Sequence, residues 1–284
     1  MEKKNYTLGY HLVAFLDVQG QRDKFRQLKL PKTPEEQASA QQVLKDTAGF
    51  VCGLRDMFRT QFNAFEAGIL SGQTPTKESL QPHFVGFSDS FVMSVPLRPV
   101  GGDMTPIVKI FSALSAASIV MMTSLASKHA LRGGIDVGLA TEIGPEEIYG
   151  TALERAYVLE SQHAKYPRVA IGDEFWTYLG AALAEFSNRP SAVSEALCSL
   201  VHRIMDLTKV DAGGGRFLDY LGEEMAKVAK PQDAKYIVQP AYDFVVAEQQ
   251  RFLSTGDSKL SERYRQVRAY FESRLSLWGL AKRV

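Results

Sequence analysis

The stretch His83–Val95, HFVGFSDSFVMSV, is the clearest β-hairpin in the chain. Two apolar runs of strand-forming residues flank a polar Ser-Asp-Ser turn that has Asp89 at its centre. A second strand-like run, His11–Leu16, ends at Asp17 and is broken by the glycine that follows at position 20. Each of these two predicted elements therefore carries an aspartate where its apolar run stops.

Working outward, helices and strands alternate along the first 172 residues. The residues Thr33-Pro34-Glu35-Glu36 have the pattern of a helix N-terminus, with an N-cap, a proline in the first turn and acidic residues after it. The predicted order is strand 11–16, helix 33–69, hairpin 83–95, helix 106–130, strand 131–139, turn 141–147, helix 148–165 and strand 167–171. Such alternation predicts an α/β fold.

Residues 173–284 give a weaker pattern. Helices are predicted around 175–209 and near 259–278, and β-like runs at 216–221 and 236–238. We interpret this part as a C-terminal, mostly helical continuation of the same domain.

The composition excludes several classes of protein. The chain has 284 residues, 45% hydrophobic and 23% charged, with a formal net charge of +1. These values are ordinary for a globular protein, and the charge gives no ground to predict binding to nucleic acid or to a membrane. The apolar stretch 106–130 contains charged and hydroxyl side chains, so we predict a buried helix rather than a membrane span.

The cysteines and the N-terminal residues indicate in which cellular compartment the protein works. Cys52 and Cys198 form no metal-binding motif, and we predict two buried or half-buried thiols in a reducing environment. The short apolar run that ends at Asp17 lacks a cleavage site typical of signal peptides. We therefore predict a cytoplasmic protein.

Asp17 and Asp89 are the strongest candidates for chemistry. Carboxylates at strand ends beside glycine suit Mg²⁺, which prefers oxygen ligands and binds one or two carboxylates together with substrate phosphates. The backbone N–H groups from Val18 to Gln21 could bind phosphate oxygens. The alternative is that Asp17 merely caps a turn and that Asp89 occupies a hairpin tip where aspartate is common.

Four blocks of the sequence resemble the class III nucleotidyl cyclases. Phe15–Gly20 is similar to their first metal-binding strand, and Phe87–Phe91 to their hairpin with the second metal aspartate. Leu131–Gly138, LRGGIDVG, resembles their glycine-rich strand, and Tyr149–Glu160 the turn and helix that follow it. The blocks occur in the family's order and cover about residues 10–172.

The resemblance implies a fold and a reaction. It implies a ferredoxin-type βαββαβ catalytic core over residues 1–172, with a mostly helical insert at about 30–80. It also implies two-metal catalysis with Mn²⁺ or Mg²⁺, in which a nucleoside triphosphate is cyclised and pyrophosphate leaves. The family works as head-to-tail dimers, so a homodimer with composite active sites is implied as well.

The resemblance also assigns residues. Asp17 and Asp89 would be catalytic and, with Val18, would bind metal. The nucleotide would contact Phe15, Val18, Gln19, Gly20, Gln21, Arg132 and Glu147. We also expect Tyr149 to contact the base, an expectation that no motif supports. Arg132 could equally pair with a carboxylate at the end of the sheet, an alternative that we favour slightly.

The sequence departs from the family in the residues for the transition state and the base. Glu154 and Val158 stand where the family has an asparagine and an arginine. Arg155 is one position away and could supply a guanidinium to the developing charge, or could simply face solvent. The adenine-reading lysine aligns near Val85, and the other base-reading position near Glu147, so the set that reads adenine is missing.

One branch of the family shares these features. The hairpin, the RGGI strand and the stretches Ala156–Glu160 and Ala164–Arg168 resemble the pyrimidine cyclases of bacterial Pycsar antiphage systems. This resemblance implies that UTP is converted to cyclic UMP, which then activates a separate effector protein. The alternatives are a cytidylate cyclase that makes cyclic CMP, an ordinary adenylate or guanylate cyclase, and a catalytically inactive nucleotide-binding pseudocyclase.

Overall fold

The computed structural model describes residues 7–26, 28–70, 82–99, 107–144, 147–189, 191–229 and 231–283. The predicted polar loop at 71–81 and most of the loop that precedes residue 106 lie outside these ranges.

A single mixed sheet of eight strands organises the described residues. The strands are β1 (Gly9–Val18), β2 (His83–Phe87), β3 (Ser90–Pro99), β4 (Leu131–Gly144), β5 (Glu147–Gly150), β6 (Val169–Ile171), β7 (Thr208–Val210) and β8 (Arg216–Leu218). Their order is β2-β3-β1-β4-β6-β8-β7, with β5 paired to β4. The order β4-β1-β3-β2, joined by crossover helices, is that of a ferredoxin-type βαββαβ unit. The predicted fold class is therefore confirmed.

Helices pack mainly on one face of this sheet. They are α1 (Gln21–Arg26), α2 (Pro34–Leu44), α3 (Phe50–Ile69), α4 (Ile107–Ala126), α5 (Thr151–Val158), α6 (Asp173–Ser187), α7 (Ala192–Asp206), α8 (Glu223–Val228), α9 (Pro231–Asp233), α10 (Gln239–Ser254) and α11 (Ser258–Glu272). Short π-helical turns follow α2 and α5, at Lys45–Gly49 and Leu159–His163. Thr33 caps α2 in a capping box with Glu36, as the sequence predicts.

Helix α4 forms the centre of the core. By length and composition it could cross a membrane, but 83% of its most apolar window is buried inside the protein, against α3, α7 and α10. A core helix of a globular protein has this pattern, which confirms the prediction of a buried helix.

The two faces of β1 have different neighbours. Leu12, Ala14 and Leu16 belong to the large core that contains α4. Val13 belongs to a small apolar cluster that includes Ala152 and Ala156 of α5. Phe15 packs against this cluster but is only partly buried. Because side chains alternate across a strand, Asp17 lies on the same face as Phe15.

Several sequence predictions are wrong in detail. Residues 141–144 continue β4 and pair with β5, so this segment is a hairpin, and α5 begins only at Thr151. The apolar run 236–238 lies in a π-helical turn, not a strand, because it continues directly into α10. Residues 208–210 form β7, which pairs with β8. Cys52 is exposed on α3, contrary to the prediction of a buried or half-buried thiol, and both cysteines are free.

Gly134 provides a test of how α5 packs on the sheet. A Cβ atom at this position would lie 2.1 Å from the carbonyl oxygen of Ala156 and 2.6 Å from Cβ of Leu159. We expect Gly134→Ala to lower the free energy of unfolding by about 3 kcal/mol, because the backbone of the α5 segment would have to move away. Urea denaturation measures the effect.

Gly53 gives a matched control for that experiment. It lies at an exposed position of α3, where a Cβ atom would meet nothing within 4 Å. Gly53→Ala should raise stability by about 0.5–1 kcal/mol, because alanine has less backbone entropy to lose in a helix. Equal effects of both substitutions would contradict the packing of α5 on β4.

Candidate active site

The structure places Asp17 and Asp89 together at one end of the sheet. Asp17 is the penultimate residue of β1 and is in register with Ser90 at the start of β3. The Val18 N–H donates a 2.9 Å hydrogen bond to the carbonyl oxygen of Asp89, which ties the hairpin turn to the end of β1. The two residues meet because β1 and β3 are neighbouring antiparallel strands.

Negative charge and burial disfavour ionisation of Asp17. Burial raises the pKa of this carboxyl to about 6, with further contributions from the nearby carboxylates of Glu160 and Asp89. The guanidinium of Arg132 opposes the increase in pKa. The site therefore concentrates carboxylates where an added cation would relieve their repulsion.

Arg132 and Glu160 form a buried ion pair beside Asp17. Nη2 of Arg132 lies 2.5 Å from Oε1 of Glu160 and 3.8 Å from Oδ2 of Asp17. The preferred alternative for Arg132, a carboxylate partner at the sheet end, is confirmed. Glu160 has no role in the sequence prediction, although it is only 3% exposed and ends the stretch Ala156–Glu160 that resembles the Pycsar enzymes.

The turn after β1 is held in place by hydrogen bonds. The Gln19 N–H donates to the carbonyl oxygen of Ala130 at 2.8 Å, and the Gln19 side-chain amide donates to Asp17. Gly20 has φ of +83°, which glycine adopts without strain. Of the four N–H groups predicted to bind phosphate, those of Val18 and Gln19 thus already have partners, and Gly20 and Gln21 supply the other two.

A second group of predicted residues lies far from Asp17 in the same chain. Asp17 is in register with Arg132, whereas Arg155 contacts the carbonyl oxygen of Val137, five residues further along β4. At about 3.3 Å per residue this corresponds to about 17 Å. Tyr149 is in register with Thr141, further still, and Glu147 lies beyond it. One chain does not bring the two groups together.

Arg155 is held by contacts within its own chain. Its Nη1 donates a 3.2 Å hydrogen bond to the Val137 carbonyl oxygen, and its Nη2 lies 3.5 Å from Oε1 of Glu174. It lines a cavity of about 720 Å³ together with Glu154 and the glycine-rich loop 213–215. The Arg155 side chain is 41% exposed, so the guanidinium can also be reached from outside.

Aromatic side chains extend from the carboxylates across the sheet face that α5 only partly covers. Phe15 contacts Tyr157 edge to face, with ring centroids 5.5 Å apart. On this face, Phe87 and Tyr157 are 74% and 53% exposed. Tyr149 is 72% exposed but is in register with Thr141, on the opposite face of the sheet from Ala140. Exposed aromatics of this kind are enriched in protein interfaces.

The donor set near Asp17 fits a divalent cation that also binds phosphate. Within the described ranges no group of three or more His, Cys, Asp or Glu side chains could hold a metal alone. Two carboxylates that repel each other, with all-oxygen donors, nevertheless match the way Mg²⁺ or Mn²⁺ is held jointly by protein and substrate phosphates.

Comparison with protein-family models gives no match, and comparison with the curated proteins gives none either. Among solved structures, the chain is similar to the catalytic core of a rhodopsin-guanylyl cyclase with converted specificity in complex with ATPalphaS. The TM-score is 0.41 at 12% identity, over 62% of this chain and 84% of that one.

Two further structures are similar at the same level. The monomeric guanylyl cyclase domain of the RhoGC fusion protein from Blastocladiella emersonii gives a TM-score of 0.38 at 12% identity, over 63% of this chain and 90% of that one. A class III adenylyl cyclase-like ATP-binding protein from Pseudomonas aeruginosa gives 0.36 at 15% identity, over 69% and 42%.

Proposed function

We propose that this protein is a nucleotidyl cyclase that converts a nucleoside triphosphate to a 3′,5′-cyclic nucleotide and pyrophosphate. The observation that carries the proposal is the pairing of Asp17 and Asp89 at the end of β1, where Glu160 and Asp89 help to raise the pKa of Asp17. Carboxylates placed against each other in this way are typical of sites that bind a cation or take part in chemistry.

The reaction forms one bond and breaks one. The ribose 3′-oxygen attacks the α-phosphorus and loses its proton to solvent, while the bond from the α-phosphorus to the bridging oxygen breaks and pyrophosphate leaves. The protein has to position the two oxygens in line and stabilise negative charge on the phosphates. Gly20 and Gln21 would donate N–H groups to the phosphates, and Arg132 lies close enough to add a positive charge.

Two divalent ions, Mg²⁺ or Mn²⁺, would be held by Asp17 and Asp89 with Val18 beside them. When bound, such ions lower the pKa of the attacking hydroxyl and neutralise charge on the triphosphate. The side chain of Val18 is a buried hydrocarbon without donor atoms, so only its backbone carbonyl oxygen could contribute a ligand.

We further propose that the active site is shared between two copies of the chain. Asp17 and Arg155 lie about 17 Å apart along the sheet of one chain, which is too far for both to contact one α-phosphate. A two-fold axis on the sheet face that carries Phe87 and Tyr157 would bring Arg155 of one copy towards Asp17 of the other.

The proposed substrate is UTP, with CTP as the near alternative. The position where adenylate cyclases carry a base-reading lysine is near Val85, an apolar residue packed against Val13 and Val92. The resemblance of the hairpin and RGGI strand to the Pycsar enzymes supports a role in cytoplasmic antiphage signalling through a separate effector. UTP and CTP differ in the hydrogen bonds at position 4 of the base, and such differences give large discrimination.

A binding-only pseudocyclase is the second candidate. It is favoured by Glu154 and Val158, which stand in place of the family's asparagine and arginine, and by the contacts of Arg155 within its own chain.

The deciding experiment incubates the purified protein separately with ATP, GTP, CTP and UTP in Mn²⁺, and identifies products by chromatography and mass. We expect cyclic UMP, and no product from the Asp17→Ala variant. A cyclic purine would contradict the pyrimidine assignment. Nucleotide binding by calorimetry without any product would instead support the pseudocyclase.

A further inference from the structure

A cleft of about 450 Å³ lies between the turn after β1 and the C-terminal helices α10 and α11. Gln19, Gly20 and Gln21 form one side, and Phe252, Arg263 and Tyr264 are among the residues on the other. None of the motifs identified in the sequence extends beyond residue 172. The cleft therefore brings the C-terminal helices next to the turn after β1, an arrangement that the sequence does not reveal.

Positive charge dominates the lining of the cleft. The described lining residues include five cations, Lys128, Arg132, Lys165, Arg251 and Arg263, and a single carboxylate, Glu248. Glu248 is already paired with Arg251 at 2.5 Å, and Arg132 is paired with Glu160. Within the parts of the chain that the structure describes, Lys128, Lys165 and Arg263 form no ion pair with a carboxylate. The excess charge is available to an anion.

Gln21 provides independent evidence that a ligand belongs here. Its side chain is only 1% exposed, and neither Nε2 nor Oε1 has a hydrogen-bond partner among the described residues. Buried amides without partners are rare in native proteins because each lost hydrogen bond costs about 1–3 kcal/mol. Nε of Arg132, in the same lining, is also buried without a hydrogen-bond partner.

The shape of the cleft indicates which anion would fit. Its volume is that of a small-molecule site rather than of an extended groove, which argues against a nucleic-acid backbone. The aromatic wall contains Phe252 and Tyr264, whose ring centroids lie 5.5 Å apart. An apolar wall of this kind lowers the local dielectric and strengthens the attraction between the cations and a compact, highly charged ligand.

Two residues of the cleft also contact Asp17. Gln19 lines the cleft, and its side-chain amide donates to Asp17. Arg132 lines the cleft and lies 3.8 Å from the same carboxylate. A chain of phosphates that begins beside Asp17 would therefore run towards Gln21 and the C-terminal helices.

We propose that this cleft binds a polyphosphate, with Arg263, Lys165 and Lys128 supplying charge and Gln21 supplying an amide donor. The inference rests on the proposed function for the identification of that polyphosphate as the triphosphate of the substrate or the pyrophosphate product. The C-terminal helices then belong to the active site of the same chain.

The test measures binding of inorganic tripolyphosphate to the full-length protein by calorimetry. Arg263→Ala should weaken binding about tenfold, as expected for loss of a charge-assisted hydrogen bond. Arg265→Ala is the matched control, because Arg265 is exposed two residues away on α11 and does not line the cleft. Lys165→Ala, in an exposed segment, provides a second variant if Arg263→Ala does not fold.

The outcomes separate this inference from the proposed function. Absence of tripolyphosphate binding, or equal binding by both arginine variants, would overturn the inference. A KM for UTP that is unchanged in Arg263→Ala would also overturn it while leaving the cyclase proposal intact. Binding of tripolyphosphate by the wild type that is lost in Arg263→Ala, when the wild type cyclises none of the four nucleotides, would support the cleft and reject the cyclase.

Two competitors identify the source of the phosphates. Displacement of tripolyphosphate by UTP and by pyrophosphate supports a site for substrate and product, and UTP should bind more weakly to Arg263→Ala. Displacement by neither, together with tight binding of a short single-stranded RNA that depends on Arg263, would overturn the inference in favour of a nucleic-acid surface.

Discussion

Asp17→Asn is expected to abolish formation of a cyclic nucleotide while leaving the protein folded and more stable than the wild type. The amide keeps the shape of the side chain but removes the negative charge that would hold a divalent ion. Loss of a metal-binding carboxylate should leave no measurable turnover. Product formation from UTP in Mn²⁺ is the measurement.

The stability effect follows from the pKa of Asp17. Folding raises this pKa from 3.8 to about 6, so the folded protein holds the proton more tightly than the unfolded chain does. The contribution of Asp17 to the free energy of unfolding is therefore most favourable below the pKa of the unfolded chain. It declines as the pH rises from about 4 to 6, and the ionised carboxylate destabilises the folded protein above that range. Asp17→Asn should therefore raise the free energy of unfolding at pH 7.5 by about 1–3 kcal/mol in metal-free buffer.

Two further variants make this prediction specific. Asp89→Asn should also abolish activity, and should stabilise the protein less because Asp89 is only one of three causes that raise the pKa of Asp17. Asp56→Asn is the control, since Asp56 is an exposed carboxylate on α3, 3.7 Å from Arg59. Activity that survives Asp17→Asn, or an inactive Asp56→Asn, would contradict the two-aspartate site.

The strand that carries Asp17 could be predicted because local and global signals agree. The apolar run 11–16, the hairpin around Asp89 and the capping box at Thr33 each follow from short-range patterns, and the structure contains all of them. Pairing of β1 with β3 then brings the two carboxylates together. The same reasoning fails at 236–238, where a β-prone run is helical because it packs in the helical C-terminal part.

The surroundings of Asp17 could not be derived in this way. Glu160 lies 143 positions away in sequence and reaches Arg132 only because the α5 segment packs on Gly134 of β4. The cleft at Gln21 depends on α10 and α11, which no motif connects to the first strand. Long-range packing creates these contacts, and a single sequence has no local signal for them.

Arg155→Ala is expected to lower turnover about a hundredfold or more, as does removal of one transition-state donor in other enzymes. The substitution removes a partly exposed ion pair with Glu174 and one hydrogen bond to Val137, so stability should fall by only about 1 kcal/mol. Arg189→Ala, which breaks an exposed pair with Glu185 on α6, is the matched control and should keep normal turnover.

Mixing variants tests whether Arg155 acts across a dimer. If each site combines Asp17 of one copy with Arg155 of the other, a mixed dimer of Asp17→Ala and Arg155→Ala chains contains one intact site and one doubly defective site. After equal mixing and subunit exchange, half of the dimers are mixed, so about a quarter of wild-type activity should return. Activity no higher than the mean of the two parent variants would contradict a shared site. Arg155 would then not act at the Asp17 site, because the two residues are too far apart in one chain to contact the same phosphate. Analytical ultracentrifugation of the mixture is the control that checks whether dimers are present when the activity is measured.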